Sequence, residues 1–169
     1  MIFDAHMSVE VLESAREMAR LRFGYGRWDA PYWFIGPEEG MDAAEDPKTR
    51  LNAWRVLGST ELCDCREFHN LIGQSAYFAA KPKPVKVWKA MITVLLNCKG
   101  DSAAEQQIAD YQRDRWGRLA GEVCVAELSG LAANNMEEGK QQLRNLFTEP
   151  EIKKLRQDRV KTICDRIAT

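Results

Sequence analysis

Apolar residues recur along this chain in two rhythms, and the expected elements follow from them. Between Ser8 and Phe23, Val11, Ala15, Met18 and Arg22 share one helical face, with Leu12, Ala19 and Leu21 nearby and charges opposite. That spacing predicts a helix capped by Ser8 and stopped by Gly24-Tyr25-Gly26. A different pattern follows. Tyr32-Trp33-Phe34-Ile35 is a continuous apolar run that ends in Gly36-Pro37-Glu38-Glu39-Gly40. It predicts a buried strand leaving through a sharp loop, where glycine lets the backbone turn and lets another group come close.

A polar loop, Met41 to Glu45, leads to a helix that Asp46 caps and Pro47 opens, with Leu51 and Trp54 on its apolar side. Glu61 to Cys65 reads as a short extended piece and Arg66 to Ile72 as a short helix. Lys81-Pro82-Lys83-Pro84 excludes regular helix. Val85 to Asn97 is apolar enough to predict a helix buried around most of its circumference. Ser102 and Glu105 have the spacing of a capping box that opens a polar helix to about Trp116.

Glu122 to Leu128 is the second clear strand, followed by the small polar loop Ser129 to Asn135. Two helices close the sequence, Glu137 to Phe147 and one opened by the capping box at Thr148 and Glu151. In the last, Arg159 shares the apolar side with Ile152, Leu155, Val160, Ile163 and Ile167. The expected fold is α/β and predominantly helical. It is a single domain over residues 1–169 with a small parallel sheet flanked by many helices, an incomplete doubly wound sheet. Two strands joined through helices run parallel, and two alone make a poor sheet: either short pieces such as Glu61 to Cys65 join it, or a partner supplies strands, or the domain is mainly helical.

Composition narrows the function. Basic residues number 24 and acidic ones 25, so whole-chain charge gives no footprint for nucleic acid, and a DNA partner would need a local patch. Lys81, Lys83 and Lys86 supply the densest one, read either as a stiff solvated connector or as a phosphate-contacting loop. No apolar run matches a membrane span, and the first seven residues lack the features of a secretory signal, so a cytoplasmic protein is expected. Cys63, Cys65 and His69 offer three zinc ligands without a visible fourth, so no metal or cofactor is expected. His69 itself reads as a partly exposed helix residue.

The acidic loop carries the candidate chemistry. Ligands of open α/β sheets sit beyond the carboxyl ends of strands, which is where Glu38 and Glu39 fall. They are the candidate catalytic carboxylates, with Gly36 and Gly40 allowing close approach to the backbone. The alternative is that both merely favour a helix dipole.

Tyr32 to Gly40, Glu61 to His69 and Val123 to Leu131 together resemble the uracil-DNA glycosylase superfamily, in which a strand ends in a glycine-flanked turn bearing an acid or amide. The resemblance covers roughly residues 30–169. It implies a hydrolase on DNA in which Glu38, or else Glu39, positions a water at the glycosidic bond of an extruded base. It also implies that Tyr32 or Trp33 offers a stacking face, and that Glu127 stands where the family carries a base-reading amide. With Ser129 and Asn134 these would form the substrate site, with Lys81, Lys83 and Lys86 on its rim. Glu127 departs from the family, since an ionised carboxylate accepts hydrogen bonds but donates none. The family also carries further strands and a His-Pro-Ser type segment after the helix matching Glu151 to Ala168, so a truncated or inactive glycosylase-like domain is expected. The alternative is a non-enzymatic interaction module, an adaptor or inhibitor, pairing with a protein partner or a second copy through an open sheet edge or apolar patch.

Overall fold

A computed structural model describes residue 3 and residues 7–41 and 45–168. Residues 42–44 of the expected polar loop lie outside them. The elements run α1 (Val9–Leu21), β1 (Gly24–Tyr25), β2 (Tyr32–Gly36), α2 (Pro47–Val56), β3 (Leu62–Cys63) and α3 (Cys65–Leu71). After a 3-10 turn (Ser75–Phe78) come α4 (Lys86–Lys99), α5 (Glu105–Asp114), β4 (Val123–Glu127), α6 (Met136–Leu146) and α7 (Glu149–Ile167). The fold is α/β, with helices around a small mixed sheet.

The sheet order is β2-β4-β1-β3. β2 and β4 are parallel neighbours in a five-residue register from Tyr32↔Val123 to Gly36↔Glu127. β3 is the expected short addition and pairs parallel with β1. β1 itself was not expected, and it runs antiparallel to β4. The helix already ends at the extended C-cap Arg22, short of the expected glycine stop; Gly24 and Gly26 instead adopt φ of +146° and +91° within and beside the strand. A Cβ on either would collide with the carbonyl oxygen of Val125 or Val123. Glycine here serves the close approach of two backbones, so the tract that reads as a helix stop is a strand.

β4 is buried along its whole length and divides the interior. Val123 and Val125 face the main core with Tyr25, Trp54, Phe68 and Trp116. Cys124 and Ala126 face a smaller core beneath α7, with Phe23 and Ile163. This is the two-residue alternation of a strand covered on both faces.

Three local expectations are corrected. α4 is amphipathic rather than wrapped: Trp88, Ile92, Leu95 and Leu96 are buried while Val87 and Val94 are more than half exposed. The Ser102 capping box does not form, because α5 starts later, with Ala104 at the N-cap and the Ser102 hydroxyl accepting from Ala104 N–H instead. His69 is buried, at 2 % exposure, because α3 turns it inward among Tyr25, Phe68, Phe78 and Trp88.

Arg159 of α7 ties the ends of two elements together. Its guanidinium donates to the carbonyls of Ala19 (3.0 Å), Arg20 (3.4 Å) and Arg22 (2.9 Å) where α1 ends. It also donates to Glu127 (2.7 Å) and Leu128 (2.9 Å) where β4 ends. A planar fork of five N–H donors suits such a ring of carbonyls, and a helix C-terminus attracts a cation. Arg159→Met is expected to destabilise the fold by about 3 kcal/mol or more, because several buried carbonyls lose their donor together. Arg159→Lys is expected to recover only part of that loss, as read from the urea midpoint of each variant.

Candidate active site at the tips of β2 and β4

Parallel pairing brings both strands out of the sheet at the same end, and their exit loops then run side by side. Leu128 N–H donates to Gly36 O (2.8 Å), Ser129 N–H to Pro37 O (2.9 Å) and Ala133 N–H to Glu39 O (3.0 Å). Gly40 bridges Ala133. The two consecutive carboxylates of the first loop therefore point in opposite directions.

Glu39 turns inward. Its carboxylate lies 2.8 Å from Arg22 Nη2 and 2.9 Å from Arg50 Nη1. The Arg50 contact is an ion pair not aligned as a hydrogen bond. The Tyr25 hydroxyl also donates to Glu39, and His69 Nε2 stands 3.6 Å away. Both arginine side chains are almost fully buried. Burial pushes the Glu39 pKa up, but Arg50 and then Arg22 outweigh it and hold the carboxyl well below the usual range. Arg50 also grips Glu45 at 2.6 Å, and Gln74 donates to the same carboxylate. Burial lowers the His69 pKa to about 4, so the ring is neutral near pH 7, with Nδ1 donating to Cys65 O at 2.7 Å. Arg22, Arg50, Tyr25 and His69 were not expected here.

Glu38 turns outward into a cleft of about 280 Å³ bounded by the two exit loops, α6 and α7. Its carboxylate rests on Gly139 of α6, where a Cβ would collide with it. Met136, Leu143, Leu155 and Val160 form the walls, and Lys140 and Arg156 are the cations. Burial raises the Glu38 pKa above the ordinary carboxylate value, partly offset by Lys140.

Glu127, at the end of β4, is 8 % exposed, and its Oε2 has no hydrogen-bond partner. The side chain lies across Gly36, where a Cβ would collide with it. Burial, then the negative charge of Glu39, raises its pKa to about 8. A protonated carboxyl can donate as well as accept, but Glu127, expected in the substrate site, is not among the residues that line the Glu38 cleft.

The other expected site residues are spread more widely. Ser129 lines the cleft with its hydroxyl tied to Leu131 O at 3.1 Å. Asn134 is exposed off the cleft, while Asn135 caps α6 by accepting from Glu138 N–H. Tyr32 begins β2 at the end away from Gly36, beneath Lys99, and Trp33 packs on Trp28. Neither gives the cleft a stacking face. Lys81, Lys83 and Lys86 are exposed and outside the cleft, and Gln112 of α5 holds Lys83 O at 2.9 Å. Among the described residues no group of His, Cys, Asp and Glu is arranged to hold a metal ion. None of their helices is long and apolar enough to cross a membrane.

Two buried groups set opposing pH slopes. Neutral Glu127 makes stability fall as pH rises from its ordinary value of 4.5 to about 8, since only the folded state keeps the proton. Neutral His69 makes stability rise from about 4 to its ordinary 6.5, since only the unfolded state binds the proton. The slopes offset each other in the shared range and leave a net decline toward about pH 8. Glu127→Gln is expected to abolish that decline and expose the His69 rise, in thermal melts from pH 5 to 8.5.

No family model matches the sequence, and no curated protein or solved structure is significantly similar to the chain. Function has to be read from the cleft itself.

Proposed function

We propose that the chain is a glycosylase-like domain that binds a nucleic-acid base in the cleft at the tips of β2 and β4 and hydrolyses its glycosidic bond, with Glu38 positioning the water. One observation carries this reading. Three carboxyls at the ends of two parallel strands sit in three different environments: Glu39 ionised between arginines, Glu127 buried without a partner, and Glu38 in an apolar cleft. Carboxyls driven apart in this way commonly divide acid and base roles. The water oxygen bonds to the sugar carbon as the carbon–nitrogen bond breaks. The bonding pair leaves with the base as an anion, the water passes one proton to Glu38, and the base takes up one proton from solvent, to which Glu38 returns the one it received. The buried Glu39 supports the loop and is not a second catalytic group.

Glu38→Gln is expected to lower base release from uracil-containing single-stranded and duplex DNA by about a hundredfold or more while leaving the melting temperature unchanged. Unchanged release in that variant removes Glu38 from the mechanism.

A second reading, a protein-interaction module, draws on β2. It is an edge strand, with Ile35 46 % exposed and only one neighbouring strand among the described residues. Bonds to β4 run from Tyr32 and Gly36, which turns the backbone of Trp33 and Ile35 to the open edge. Light scattering separates the readings: a concentration-dependent dimer lost in Ile35→Lys supports the module, and a strict monomer counts against self-pairing through β2.

A further inference from the structure

We propose that the cleft between α6 and α7 is a binding site for a nucleoside monophosphate, with the base against its apolar walls and the phosphate on Arg156 and Lys140. This deepens the reading above and rests on it for taking a base as the ring.

Size is the first support. At about 280 Å³ the cleft lies at the low end of small-molecule sites, room for one nucleotide rather than a strand. Charge is the second. Arg156 makes no hydrogen bond or ion pair with the described residues, although its neighbours along α7, Lys154 and Asp158, pair with each other. Among the described residues Lys140 pairs with Glu137, at 2.6 Å, in an exposed contact that exchanges readily for a stronger anion. Two cations facing one cleft suit a single phosphate, and guanidinium binds phosphate oxygens in pairs. A strand would need cations spread along a track. The lysines that could form one, Lys81, Lys83 and Lys86, do not line this cleft.

The apolar wall is the third support. Met136 and Val160 leave 61 % and 47 % of their surface in water beside these cations. A ligand with an apolar ring and an anionic tail covers the former while engaging the latter. Hydrolysis there consumes one water and yields a free base and a sugar phosphate.

The test is calorimetric titration of the full chain with the deoxynucleoside 5′-monophosphates, including that of uracil, with the matching nucleosides and with a uracil-containing single-stranded oligonucleotide. Base release from each is followed alongside. At least one monophosphate is expected to bind about tenfold or more tightly than its nucleoside. Arg156→Ala, an exposed change that leaves melting unaffected, is expected to erase that advantage, and Lys140→Ala to reduce it. Monophosphates that fail to bind, or that bind equally to both variants, overturn the proposal. Base release from the oligonucleotide without monophosphate binding overturns it too, yet leaves the base-cleaving reading standing. Monophosphate binding through Arg156 with no base released from any substrate sustains the site and overturns the cleavage.

Discussion

The ion cluster around Glu39 is the constraint from which the site follows. One carboxylate holds Arg22 at the end of α1 and Arg50 in α2, and it takes the Tyr25 hydroxyl from β1. Removing it would leave the Arg22 guanidinium buried without a counter-charge and Arg50 with Glu45 alone, which is far costlier than the net worth of any one pair. The exit loop of β2 is therefore pinned by its second carboxylate. Because adjacent side chains diverge, pinning Glu39 inward sends Glu38 outward to the cleft.

The same cluster shapes the charges around it. Glu39 is a fixed negative charge in a poorly screened interior, and it adds to burial in keeping the proton on Glu127. Arg159 holds the backbone of Glu127 from the other side while α7 closes the smaller core. The end of β4 thus meets one cation through its carbonyl and one anion across space, and its own carboxyl is left neutral between them.

Much of this was legible in the sequence. The apolar runs of β2 and β4 announced two strands, and their helical connection implied parallel pairing; only β4 is buried, because β2 lies at the sheet edge and leaves Ile35 46 % exposed. The glycine-flanked acidic loop marked the end of the sheet where the cleft lies. Tyr25 was not legible as a strand residue, because a glycine on each side is also how helices end, and only the opposing carbonyls of Val123 and Val125 tell the two apart. The split between Glu38 and Glu39 could not be read either, since the partners of Glu39 are separated from it in sequence and gathered only by folding. Two signals were present but faint. Arg159 stood on an apolar helical face, and Gly139 interrupted a helix where a larger residue would help. Both mark places where another element comes close.

Gly36 and Glu127 share a single volume. The carboxyl of one occupies the space in which the other would carry its first side-chain carbon. An alanine or serine at position 36 would push against the tip of that side chain, so the Glu127 carboxyl would have to swing out of the place it now fills. Far apart along the chain, the two positions are coupled in space: the missing side chain of one sets where the carboxyl of the other rests.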